Sequence, residues 1–292
     1  GVFALGISSL LIVLTQVGQP EANPAWMILF TIVFTVCIPL FLWWERRTPE
    51  PMLDLKLWSD RLIASANGAS LAAGMTLIGI TAFLAVYVQG VMGRSATVAG
   101  LTLTMMAVGW PLSAVMARRF YHSFGMRGTL RLGSVLIVLG ATALLFLQPT
   151  SSPFLAGTGS FVLGYGMGLL IMTCTIMIQG SVSWENRGSA TASNVFARTL
   201  GNTLGAAVLG SVLNFGLHSY SRSVTSEQVR KLLDSPAVAS SMPNKEVVIR
   251  ALHHGLHLTF ICVVVLAVVT VALSLFIPAR DLSELAGGRT AQ

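Results

Sequence analysis

Long apolar runs, most of them close to the length that crosses a bilayer, alternate with polar connections along the whole chain. They lie at 2–18, 24–44, 62–92, 96–117, 129–147, 154–180, 189–213 and 256–277. A spanning helix needs about 20 mostly apolar residues, because the hydrocarbon core is roughly 30 Å thick. The pattern therefore predicts an all-α membrane protein with about eight transmembrane helices. A closed barrel, the other architecture that satisfies its backbone in lipid, would alternate apolar and polar residues over about 10 positions. Stretches such as Leu132 to Leu147 show no such alternation. The first run is short, starts at Gly1 and lacks the basic segment of a signal peptide. It reads as a span whose beginning has been cut off. A lipidated amino terminus is disfavoured too, since Leu5 stands where that motif needs Ser or Thr.

Composition sharpens this reading. The chain is 54% hydrophobic and 10% charged, against about 25% charged residues in soluble domains. It has too little polar surface to fold in water and too much apolar surface to stay disordered. The net charge of +7 does not signal nucleic acid, because the basic residues sit at span ends rather than on one face. Their distribution instead sets an orientation. If the first span runs outward, the cytoplasmic segments hold Arg46, Arg47, Lys56, Arg61, Arg118, Arg119, Arg127, Arg131, Arg187, Arg280 and Arg289. The other side holds Arg94, Arg222, Arg230, Lys231, Lys245 and Arg250, all but Arg94 in one long connection. Both termini are then cytoplasmic.

The connections divide the chain. Residues 1–44 hold two spans, and 45–61 form a cytoplasmic linker with Pro49, Pro51 and an interfacial segment that places Trp58 at headgroup level. Residues 62–277 hold six spans, with an extracytoplasmic loop at 214–254 that includes a short helix near 225–234. Residues 278–292 form a cytoplasmic tail.

Within the spans there is no Asp or Glu, and one charge lies deep: Arg198. A central Arg costs about 2.5–3.5 kcal/mol on insertion scales, so it is expected to face a cavity or a partner. Asn194, Arg198 and Asn202 follow at i, i+4 and i+8, on one helix face. Such a stripe either walls a water-filled pathway or joins helices by hydrogen bonds. Ser160, Gly164 and Gly168 recur every fourth residue and predict a close helix contact. Met167, Met172 and Met177, with Thr173, Thr175 and Gln179, are core filler or an adaptable binding wall. Cys37, Cys174 and Cys262 fall in apolar runs without ligand spacing. His253, His254 and His257 read as interfacial side chains at a span entrance, and no metal or other cofactor is expected. Neither a phosphate-binding glycine loop nor a nucleophile elbow is present, so nothing points to an enzyme.

Four stretches resemble the major facilitator superfamily, and within it the fourteen-span drug:proton antiporters. Tyr87-Val-Gln-Gly-Val-Met-Gly-Arg-Ser-Ala-Thr-Val-Ala-Gly100 resembles a helix end, a tight turn and the next helix. Glu45-Arg46-Arg47 through Pro51-Met-Leu-Asp-Leu-Lys-Leu-Trp58 resembles the linker into the C-terminal bundle. Trp184-Glu-Asn-Arg-Gly-Ser-Ala190 resembles the turn before the penultimate helix, and Asn194 through Gly205 resembles that helix. One departure stands out. The superfamily's signature loop carries Asp-Arg, where this chain has His122 and Ser123, while Phe124, Gly125 and Arg127 fit.

The resemblance implies that residues 1–44 are the family's central pair and 62–277 its C-terminal half, with an N-terminal six-helix half missing. It implies alternating-access secondary transport, with export of amphipathic or cationic organic compounds against inward protons, in a bacterial inner membrane. The third, fourth, sixth and seventh spans would line the cavity through Asn67, Tyr87, Gln89, Gln179, Asn194, Arg198 and Asn202. Gating would fall to the loops holding Glu185 and Arg187, and Gly125 and Arg127. Proton coupling would need carboxylates from the missing half, since these spans have none. The alternative is a non-transporting remnant or half-subunit that needs a partner bundle.

Overall fold

The computed structural model describes residues 2–17, 24–45, 47, 57–221, 224, 226–234 and 244–277. The linker between 48 and 56 and the tail from 278 onward, both assigned above, lie outside the described residues. The helices are α1 (Val2–Val17), α2 (Pro24–Glu45), α3 (Arg61–Val86), α4 (Ala96–Leu145), α5 (Pro153–Ser181), α6 (Arg187–Tyr220), α7 (Ser226–Asp234) and α8 (Lys245–Leu275). Among the described residues, six helices are long and apolar enough to cross a membrane. Adding the shorter α1 and counting both limbs of α4 separately gives the eight segments read from the sequence.

Local signals account for the ends. Asp60 caps α3 by accepting from the Leu62 amide at 2.8 Å, and Ser152 followed by Pro153 opens α5. α3 closes in one π-helical turn, Tyr87–Val91. α4 is interrupted at Gly125, whose φ of 66° and ψ of 174° lie in a region essentially reserved for glycine.

That interruption reverses the chain. In the first limb of α4 (96–124), Met106 lies against Gly164, Trp110 and Ser113 against Gly168, and Tyr121 against Thr173. Both numbers rise together, so this limb runs parallel to α5. In the second limb (126–145), Gly133 meets Gly166 and Leu170, Gly140 meets Leu163, and Leu144 meets Gly159. Here one number rises as the other falls, so this limb is antiparallel to α5. α5 is thus clasped on two sides, and its small residues are what allow the approach: a Cβ on Gly164 would strike the Met106 carbonyl.

The other half of the core is α3 packed on α6, with α8 behind both and also against the second limb of α4. Leu62, Ile80, Leu84, Phe260 and Val263 are buried there. The α3–α6 backbones nearly touch: a Cβ on Gly74 would run into the Arg198 carbonyl, and one on Gly201 into the Leu71 carbonyl. α1 pairs with α2 through Gly6, Cys37 and Ile38, and rests on α6. α2 turns Trp26, Ile28, Ile32, Val36 and Trp44 outward, which suits a helix bathed in hydrocarbon.

Two sequence expectations change. The 214–254 connection is largely helical, since α6 runs to Tyr220 and α8 starts at Lys245, leaving 221–244 with α7 inside it. A helix does not stop where hydropathy falls; it continues into the polar zone with its backbone still bonded. Trp58 also differs, because its indole N–H donates to Ser193 Oγ of α6 at 2.8 Å rather than standing free at headgroup level.

Candidate functional site

One end of the bundle gathers the 57–61 turn, the Gly125 reversal, the Trp184–Asn186 turn and the end of α8. Arg127 donates from its guanidinium to the Ile277 carbonyl at 3.0 Å, tying the reversal to the end of α8. Arg187 lays its guanidinium over the Trp184 ring at 4.9 Å, and Glu185 is exposed beside it. His122, Ser123 and Gly125 are exposed as well.

From this end a polar track climbs α6. A cavity of about 780 Å³ is lined by Gln179, Trp184, Arg187, Thr191, Val195 and Thr199, among others. Gln179 donates to Thr191 Oγ1 at 3.1 Å, which holds the α5 end of that wall. Higher up, a cavity of about 420 Å³ between α3, the first limb of α4 and α6 is lined by Leu77, Thr81, Met106, Trp110 and Asn202. Arg198 sits between these levels, half-buried, with its guanidinium 6.0 Å from the centre of the Trp110 ring. Among the described residues it has no hydrogen bond or ion pair. A cation over an indole face contributes roughly 0.5–2 kcal/mol, which offsets only part of the cost of burying this charge. Asn202 Oδ1 is buried without a hydrogen-bond partner, in a cavity wall where a guest could donate to it.

Asn67 and Asn194 take a different place. Both are fully buried. Asn194 Nδ2 donates to Asn67 Oδ1 at 3.0 Å and to Ser70 Oγ at 2.9 Å, and Asn67 Nδ2 donates to Ser193 Oγ at 3.1 Å. With Trp58 they form a closed network between α3 and α6, so here they join helices instead of lining an open wall. Tyr87 is also buried, donating to the Leu147 carbonyl at 2.7 Å at the opposite end of the bundle. Gln89 follows it in the π turn, half-buried. Neither adjoins the Arg198 level. Trp110 was not foreseen, because one tryptophan inside an apolar run carries no signal until its neighbours are known.

The network makes a prediction. Asn194→Ala strands Asn67 Oδ1 and should cost about 1–2 kcal/mol. A lowered melting temperature with normal transport per folded molecule is expected from detergent-solubilised protein. An unchanged melting point with lost transport would put Asn194 on the pathway.

Comparisons with known proteins agree with this architecture. The family model described as Major Facilitator Superfamily matches residues 1–206. The chain is 28% identical over 245 residues to the multidrug transporter protein MdtP of Bacillus subtilis, covering 82% of this chain and 44% of that protein. It is 30% identical over 175 residues to the multidrug resistance protein Stp of Mycobacterium tuberculosis, covering 60% and 32%. It is 26% identical over 200 residues to the methyl viologen resistance protein SmvA of Salmonella typhimurium, covering 68% and 40%. The chain therefore spans less than half the length of these curated relatives. Among solved structures, a bacterial homolog of the human lysosomal transporter Spinster, inward-facing and occupied, aligns with a TM-score of 0.58 at 17% identity, covering 97% of this chain and 68% of that one. Matched by the family model over most of its length and sharing the helical fold of a solved transporter, this chain belongs to the major facilitator superfamily.

Proposed function

We propose that the chain forms the C-terminal half of a proton-driven exporter of amphipathic or cationic organic compounds. In this reading the α6 track, with Arg198, Trp110, Asn202 and Gln179, is one wall of the central pathway. The observation that carries it is Arg198: a charge deep in a spanning helix, half-open, flanked by cavities and lacking a carboxylate partner among the described residues. A second six-helix bundle, rocking against this one, completes the pathway and brings the carboxylates that bind protons. The short coverage of the curated relatives supports this, and their multidrug-resistance names support the substrate class. The basic residues clustered at the Gly125 end place that end, and both termini, on the cytoplasmic side.

The whole reading frame containing this sequence, expressed in a bacterial strain stripped of its own efflux pumps, tests the proposal. Accumulation of a lipophilic cationic dye should fall, and a protonophore should restore it. No difference despite verified membrane expression would overturn export of such dyes and favour a non-transporting membrane subunit.

A further inference from the structure

At the end of the bundle opposite the Gly125 reversal, a second basic site is built. Arg250, His253, His254 and His257 follow at i, i+3, i+4 and i+7 along the first turns of α8, so all four share one helix face. With Pro149, Ile249 and Tyr220 they line a cavity of about 320 Å³, larger than a phosphate group. The Tyr220 ring lies 5.8 Å from the His254 ring, and the His253 and His257 rings are 6.1 Å apart.

The floor of this cavity is fixed. Tyr87 uses its single hydroxyl proton on the Leu147 carbonyl at 2.7 Å. The 3.2 Å contact between Tyr87 Oη and His253 Nδ1 must then be donated by His253, which sets its tautomer. Its ring is held between α3 and α8, and Phe260 packs on the same tyrosine at 5.6 Å. His254, His257 and Arg250 are exposed on the cavity side.

The lining contains no carboxylate. Glu246 reaches Arg250 at 3.7 Å, but the two side chains are 88% and 69% exposed, and such a pair is weak and easily exchanged. No three His, Cys, Asp or Glu among the described residues gather as metal ligands, so the imidazoles present N–H groups rather than a chelate. A guanidinium and imidazoles around a phosphate-sized space, beside a tyrosine at the end of spanning helices, match the chemistry that recognises a phosphate group at a membrane surface.

We propose that this cavity binds a phosphate group, supplied by a phospholipid headgroup or by free inorganic phosphate. Arg250 forks onto its oxygens, His254 and His257 donate to it, and His253 closes the floor. The site is separate from the Arg198 track and does not depend on the transport reading.

The test uses protein from the whole reading frame, purified into phosphatidylcholine nanodiscs, with stability as the readout. Inorganic phosphate is titrated in one arm and phosphatidylglycerol is added to the bilayer in the other. At least one probe should stabilise the protein saturably. Apparent affinity should fall about tenfold in Arg250→Gln and in the His254→Gln/His257→Gln pair, as loss of one charge-assisted contact implies. These side chains are exposed, and the melting point of each variant without probe reports its folding. Stabilisation by lipid alone identifies a headgroup site, whereas stabilisation by both identifies a site for phosphate itself. Stabilisation by neither probe, or equally in wild type and variants, overturns the proposal.

Discussion

Arg198→Ala is expected to abolish export by the whole transporter while leaving its membrane insertion intact. Taking a charge out of the middle of α6 removes an insertion cost of about 2.5–3.5 kcal/mol, so the amount of protein in the membrane should not fall. What is lost is the fixed cation between the two cavities and its contact with Trp110. Arg198→Lys separates these contributions, since it keeps the charge but loses the planar stacking group; partial export is expected from it. The check is dye efflux normalised to protein detected in isolated membranes. Export by the alanine variant equal to wild type would remove Arg198 from the pathway and leave it a helix-packing residue.

Gly201→Val should have the second large effect, on folding rather than on transport. The valine side chain would meet the Leu71 backbone of α3, including its Cα at 3.0 Å from the new Cβ, and neither helix has a flexible group there to give way. Overpacking of this kind costs about 1–3 kcal/mol where side chains can move, and the upper end or beyond is expected against backbone. Parting α3 from α6 would also stretch the Asn67–Asn194–Ser70 network two turns away. Gly210→Ala on the same helix is the control. Nothing lies within 4 Å of its Cβ, and it should be neutral or gain up to about 1 kcal/mol of helix propensity. Fluorescence-detected size exclusion across a temperature series separates the two, and a monodisperse, wild-type-like Gly201→Val would refute the close-contact account of this interface.

Span positions were legible because hydropathy and bilayer thickness are local constraints. The run at 62–92 became α3 with its π turn, and 154–180 became α5, each within a residue or two. The break between the runs at 96–117 and 129–147 coincides with a chain reversal that needs Gly125. The last span was misplaced at its start, since Lys245 to Gly255 is amphipathic and hydropathy cannot see a helix outside the apolar zone. The α6 stripe shows why faces are harder. At 100° per residue, eight positions overshoot two turns by about 80°, so Asn194 and Asn202 point differently though both belong to one stripe. Asn194 meets α3, Asn202 the cavity, and Arg198 falls between. Which helix covers which part of a face is a tertiary fact, and for the same reason Trp110 and the burial of Tyr87 could not be read in advance.

The pairing of α3 with α6 also bears on how the chain is made. The α4 limbs and α5 follow one another in sequence and can associate as soon as they leave the ribosome. α3 cannot find its main partner so early: Asn67 and Asn194 are 127 residues apart. At about 5–20 residues per second, synthesis of that interval takes roughly 6–25 seconds. Throughout it the amide of Asn67, Ser70 and the bare backbone at Gly74 stay without α6. During biogenesis α3 is therefore the natural client of whatever shields polar helices before release into lipid.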